Sequence, residues 1–194
     1  MRRLTASWMP ETPEQFWGRA HGALRVPPVE EWDTWPFAGG VVPAELEAPS
    51  AEQPRRGAGG IDCRRCIEGD RDALWSDEHW IVRALPPNGL PIVVLLETRA
   101  HHDFPDLPPE LVTELGPTML RVHAAVLAAG EIGRVHICRF GEGSEHFHMW
   151  FIARPARMPQ LASSFAMIWD DVLPPVPEDA WRDSCNRVRA ALDG

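Results

Sequence analysis

The stretch Gly143-Ser144-Glu145-His146-Phe147-His148-Met149-Trp150-Phe151-Ile152-Ala153-Arg154-Pro155 decides how this chain folds. In extended backbone, successive side chains point to opposite faces. His146, His148, Trp150 and Ile152 therefore share one side, and Phe147, Met149, Phe151 and Ala153 the other. The second set is wholly apolar, which predicts a strand laid on a core with imidazoles on its reverse face. An edge strand whose polar face merely holds two histidines is the plainer alternative. Just upstream, Gly141-Glu142-Gly143-Ser144-Glu145 separates this run from a second β-like run, Arg134 to Phe140, so the two predict a hairpin. Gly141 and Gly143 can let backbone N–H groups turn toward a ligand, and Ser144 adds a hydroxyl, which together make a candidate anion-binding loop. Imidazole can attack phosphorus near neutral pH and leave again, so this pairing suits nucleotidyl transfer through a covalent intermediate.

Working outward, Trp80 to Leu85 and Ile92 to Leu96 read as strands around the turn Pro86-Pro87-Asn88-Gly89. Between Pro109 and Ala129, residues Leu111, Leu115, Met119, Val122 and Val126 recur at helical spacing, with Gly116-Pro117 as a candidate bend. Trp181, Cys185, Val188 and Leu192 mark one face of a last helix. Short strands around one long helix predict an α+β domain from Ile61 onward, with a C-terminal helical tail. Residues 1–60 differ: they hold Trp8, Trp17, Trp32 and Trp35 and end in Pro54-Arg55-Arg56-Gly57-Ala58-Gly59-Gly60. They read as an N-terminal extension and linker, with Thr12-Pro13-Glu14-Gln15 opening a short helix through about Leu24.

With 194 residues, 44% of them hydrophobic, the chain can bury one core. A net charge of -9 argues against a general electrostatic grip on nucleic acid or an anionic membrane. Neither a secretory h-region nor an apolar run of roughly 20 residues is present, so a cytoplasmic protein with reduced thiols is expected. In that setting Cys63-Arg64-Arg65-Cys66 has the spacing by which two thiolates chelate one metal ion, with two more ligands needed for a tetrahedron. A redox pair or two buried thiols are the competing readings. Cys138 and Cys185 read as small core residues.

The run from Gly143 to Pro155 resembles the histidine-triad superfamily, whose signature is H-φ-H-φ-H-φ-φ on a strand after a glycine-containing loop. Trp75-Ser76-Asp77-Glu78-His79-Trp80 resembles the strand-entry stretch of that family, and Leu95-Leu96-Glu97-Thr98-Arg99-Ala100-His101 its L-V-x-P-K-x-H segment. The resemblance covers about Ile61 to Pro155. It implies an antiparallel sheet with a long helix between hairpins, a homodimer, and a small-molecule nucleotide as substrate. It makes His148 the nucleophile of a nucleotidyl hydrolase or transferase; the residues themselves put Gly141, Gly143, Ser144 and Trp150 on the substrate side, and Arg154 either there or as a solvated cationic end to the strand. From zinc-bearing relatives it implies a structural zinc on Cys63, Cys66, His101 and His146, with His102 as a neighbouring rival to His101. Two departures stand out. Trp150 replaces the third histidine, a position held by Gln in galactose-1-phosphate uridylyltransferases, and the loop before His146 is about one residue short. Trp150 can donate one hydrogen bond but cannot shuttle a proton, which keeps open a zinc-stabilised nucleotide-binding module without turnover and, more remotely, a C-x-x-C redox protein. His136, Arg157, Gln160, Ser163 and Ser164 are further residues that border the region in sequence.

Overall fold

The computed structural model describes residues 11–20, 23, 53–161 and 166–194. Five strands form one sheet: β1 (Trp75–Ser76), β2 (Trp80–Ala84), β3 (Val93–Thr98), β4 (Ile132–Cys138) and β5 (His148–Pro155). Their order is β1-β2-β3-β5-β4, and every neighbouring pair is antiparallel. Both expected hairpins are present, β2–β3 and β4–β5, and the long helix between them is α3 (Pro109–Leu127). Pro117 lies inside α3 without ending it. The remaining helices are α1 (Pro13–Ala20), α2 (Arg64–Glu68), α4 (Ala166–Val172) and α5 (Glu178–Asp193). This α+β arrangement is the one expected.

The alternation read from the histidine run sets the layers. Phe147, Phe151 and Ala153 are buried with Trp80, Val82, Val94 and Leu96 against Leu111, Val122 and Val126 of α3 and Val188 and Leu192 of α5. The reverse face carries three rows set by register: Ile81, Glu97 and His148; Arg83, Leu95, Trp150 and Cys138; Val93, Ile152 and His136. This face is not simply polar. Val93 and Ile152 are buried under Phe16 of α1 and under Leu90, Leu161 and Leu173. Glu97 and His148 lie at the other end of this face, with Arg83 and His136 as the polar residues of the two further rows.

α1 begins with the reciprocal cap read from sequence. The Gln15 amide donates to Thr12 Oγ1 (3.2 Å) and the Thr12 amide to Gln15 Oε1 (2.8 Å). Phe16 is 1% exposed, a burial worth about 1.5–3 kcal/mol, so this helix is packed on the sheet. The helix expected to reach Leu24 is described only to Ala20, and Trp8, Trp32 and Trp35 lie outside the described residues.

Candidate functional site

β3 and β5 are antiparallel neighbours with Glu97 opposite His148, so the end of one strand meets the start of the other. That is why His101, three residues past β3, and His146, two residues before β5, come together. The strand expected from His146 starts at His148; His146 and Phe147 lie in the bend before it, with the Phe147 amide donating to the His102 carbonyl (2.6 Å). The Cys63 loop completes the group. Cys63 precedes the first turn of α2, and Gly57, at φ 76, packs so closely that a Cβ there would lie 3.2 Å from Cys63 Sγ.

The four ligand atoms of Cys63, Cys66, His101 and His146 all lie within 4.8 Å of one another. Cys63 Sγ is 3.4 Å and Cys66 Sγ 3.5 Å from His146 Nδ1, and Cys66 Sγ is 3.6 Å from His101 Nδ1. His146 Nε2–H donates to the Thr98 carbonyl (2.8 Å), which leaves the Nδ1 lone pair facing the thiols. Burial pushes the His146 imidazole below its ordinary value, which favours the neutral ring that a ligand must be. Desolvation pushes the Cys66 thiol up to about 11, with the adjoining Cys63 adding to the effect. A bound cation reverses that tendency, because a coordinating thiol is deprotonated outright. His101 Nε2, buried and without a hydrogen-bond partner among the described residues, sits 3.7 Å from Glu145 Oε1. His102 is elsewhere: its side chain borders a separate hollow with His79 and Arg99. A short helix does open at the first cysteine, as a redox pair would want, but a 3-10 turn (Ala58–Gly60) rather than a strand precedes it.

His148 is half-buried, and its Nδ1–H donates to the His146 carbonyl (2.8 Å). The carbonyl can only accept, so in the neutral ring Nε2 carries the free lone pair. Opposite it, Glu97 is 1% exposed, with Oε1 2.8 Å from Arg65 Nε and Oε2 3.3 Å from Arg83 Nε. Burial pushes the Glu97 carboxyl up, and Arg65 and Arg83 pull it back without cancelling the rise. Sequence reasoning missed this buried cluster. Its signal is the glutamate ending the apolar run Val93-Val94-Leu95-Leu96-Glu97.

The loop before His148 is built by arginines from outside it. The Gly141 carbonyl accepts from Arg55 (3.2 Å), and the Gly143 carbonyl from both the amide (3.3 Å) and Nε (3.1 Å) of Arg56. Ser144 forms a parallel bridge with Arg56. Asp103 ties the assembly together, pairing with Arg55 (2.5 Å) and Arg139 (2.8 Å). Burial raises the Asp103 carboxyl, but Arg55, the Phe104 amide and Arg139 outweigh it and leave it below its ordinary value. Gly141 and Gly143 are not in the left-handed region. Their missing side chains admit arginines instead: a Cβ on Gly141 would strike the Arg139 guanidinium, and one on Gly143 would lie 3.2 Å from Arg56.

Trp150 packs edge-on to Phe140 (5.8 Å) and His148 (6.4 Å), and its Nε1 is buried with no hydrogen-bond partner among the described residues. Arg154 is not brought to this place. Six residues of extended strand put it roughly 20 Å from His148, where it donates to the Pro155 carbonyl (3.0 Å). His136 lies opposite Ile152, its Nε2 buried and without a hydrogen-bond partner among the described residues, and desolvation, with Arg154 nearby, pushes its imidazole below the ordinary value. Arg157 pairs with Glu14 and Glu131, away from the histidines. Ser163, Ser164 and the Gln160 side chain lie outside the described residues. Burial raises the Cys138 thiol and pushes that of Cys185 up to about 12, in keeping with packed, unreactive positions.

No protein-family model and no curated protein matches the chain. Solved structures do. A hypothetical histidine triad nucleotide-binding protein from Sulfolobus tokodaii strain7 aligns with TM-score 0.51 at 15% identity, covering 68% of this chain and 92% of that one. A histidine triad protein from Sinorhizobium meliloti 1021 gives TM-score 0.51 at 18% identity, covering 65% and 93%. One from Marinobacter aquaeolei VT8 gives 0.50 at 17% identity, covering 66% and 93%. The strand order, the long helix between hairpins and these alignments agree: the chain has the histidine-triad fold.

Proposed function

We propose that the chain is a nucleotidyl hydrolase or transferase in which His148 forms a covalent nucleotidyl-histidine. The observation that carries this reading is the hydrogen bond from His148 Nδ1 to the His146 carbonyl, which in the neutral ring leaves the lone pair on Nε2. Nε2 attacks the α-phosphorus of a nucleoside monophosphate ester, anhydride or phosphoramidate; a P–N bond forms and the bond to the leaving group breaks. Water or an acceptor hydroxyl then attacks the phosphorus, the P–N bond breaks, and the nucleotide departs as the acid or the new ester. The amides of Gly141 to Ser144 supply donors for the phosphoryl oxygens, and the Trp150 N–H, without a partner among the described residues, supplies another.

Cys63, Cys66, His101 and His146 suit a structural zinc. Zinc–sulfur and zinc–nitrogen bonds of about 2.3 and 2.0–2.1 Å at tetrahedral angles separate S from N by roughly 3.5 Å, and the three S···N distances here are 3.4, 3.5 and 3.6 Å. Bound there, the ion would tie the Cys63 loop to the strands carrying His148 and leave no open position for water. The Nε2–H bond from His146 to Thr98 and the nearness of Glu145 to His101 are the supporting partners such ligands use.

A nucleotide-binding module without turnover is favoured by one feature: beside His148 the indole of Trp150 stands where an acid for the leaving group would be needed. Intact-mass measurement after brief mixing with nucleotide phosphoramidates, dinucleoside polyphosphates and nucleotide sugars separates the two. A nucleotidyl adduct lost in His148→Ala supports the enzyme; tight nucleotide binding with neither adduct nor product supports the module. The homodimer remains a proposal whose opening is the β4 edge, where Ile137 and Phe140 are exposed. Among the described residues no helix is long and apolar enough to cross a membrane, and we keep the cytoplasm as the proposed location.

A further inference from the structure

One cavity lies away from His148. A cleft of about 760 Å³ opens between α2, the end of β2 with its following turn, and α5. Its lining holds six arginines, Arg64, Arg65, Arg71, Arg83, Arg182 and Arg189, against three carboxylates, Glu68, Asp72 and Glu178. In a chain of net charge -9 this concentration of cations runs against the overall balance. Two of the arginines are not neutralised. Among the described residues Arg71 has no carboxylate partner, and Arg189 bonds only the Leu74 carbonyl and the Asn186 amide. Arg182 pairs with Glu178 on a solvent-exposed helix face, where such pairs are weak.

We propose that this cleft is a binding site for a chain of phosphates, free or carried on a nucleoside, separate from the site at His148. Guanidinium groups present paired N–H donors that match phosphate oxygens, and the volume falls in the range of small-ligand pockets. The lining also holds the apolar side chains of Pro86, Pro87 and Trp181. The Trp181 indole is fixed by its N–H on the Leu85 carbonyl (2.9 Å), which gives a carried ring a rigid surface. Two of the lining arginines reach further. Arg65 and Arg83 hold Glu97, the residue opposite His148, and Arg65 stands between Cys63 and Cys66. An anion in the cleft therefore draws on the same guanidinium groups that brace the Cys63 loop and the histidine strand.

The test is calorimetric titration of the full chain with inorganic tripolyphosphate at low salt, on wild type, His148→Ala and Arg71→Glu/Arg182→Glu. Both arginines of the double variant are exposed and hold no buried partner, and circular dichroism checks that it folds. The expected result is binding that survives His148→Ala, weakens at least tenfold in the double variant and falls as salt is raised. Adenosine triphosphate run in parallel tells the sources apart: equal affinity points to the phosphates alone, and tighter binding that drops in Trp181→Ala points to a carried ring. Absence of tripolyphosphate binding, binding unchanged by the double charge reversal, or binding lost only in His148→Ala overturns the proposal.

Discussion

Arg65 Nε lies 2.8 Å from Glu97 Oε1, joining the loop between two cysteines to the residue directly across the sheet from His148. With Glu97 only 1% exposed, the pair cannot be treated as a surface ion bridge. Glu97→Leu leaves Arg83, itself 7% exposed, without its carboxylate. Removing one partner of a buried pair costs about 3–5 kcal/mol, so urea denaturation should show a loss of that order. Glu97→Gln, which keeps a hydrogen-bond acceptor, should recover part of it.

Metal removal is the second expectation. Purified chain should carry about one zinc per molecule, and chelation should lower the melting temperature and make it depend on zinc concentration, because a ligand bound only to the folded state adds to its stability. Cys63→Ser should do the same without chelator. Metal analysis and calorimetry check both. Unchanged melting after chelation, with a reversible Cys63–Cys66 disulfide, would move the chain to the redox reading.

Trp150→His restores an imidazole next to His148. If the missing acid limits turnover, hydrolysis of substrates with poor leaving groups should rise by about 10²-fold or more, the usual scale of general acid catalysis. Substrates with good leaving groups should change little. The substitution also removes indole packing against Phe140, so melting curves must accompany the kinetics.

Asp103 gives a pH dependence of known sign. Its carboxyl is held below the ordinary 3.8 in the folded chain, so its contribution is fully present above that value and is lost as pH falls through the lower, folded value. Acid titration should find the wild type destabilised below about pH 4, with Asp103→Asn already weaker at neutral pH and flatter in that window. Proteolysis near residues 141–145 reports the loosened loop.

The sheet and its long helix were legible because their periods are simple: two for Phe147, Phe151 and Ala153, three to four for Leu111 through Val126. The Cys63, Cys66, His101 and His146 grouping was reached from motif resemblance, and the antiparallel β3–β5 pairing is what brings it about in space. Other features were hidden because they depend on packing between distant segments. Nothing local to Phe16 says that α1 will cover Ile152, and nothing near Gly141 says that Arg55 and Arg139 will arrive there. Arg154 shows the converse: nearness along the chain became distance once the strand was extended.

The pairing of Glu97 with His148 is also an alignment mark. Sliding β5 by one residue past β3 would turn His148 into the apolar core and swing Phe147 toward solvent, while pulling His146 out of line with His101. A cation gripping His101 and His146 at the adjoining strand ends would act as a pin that holds this register.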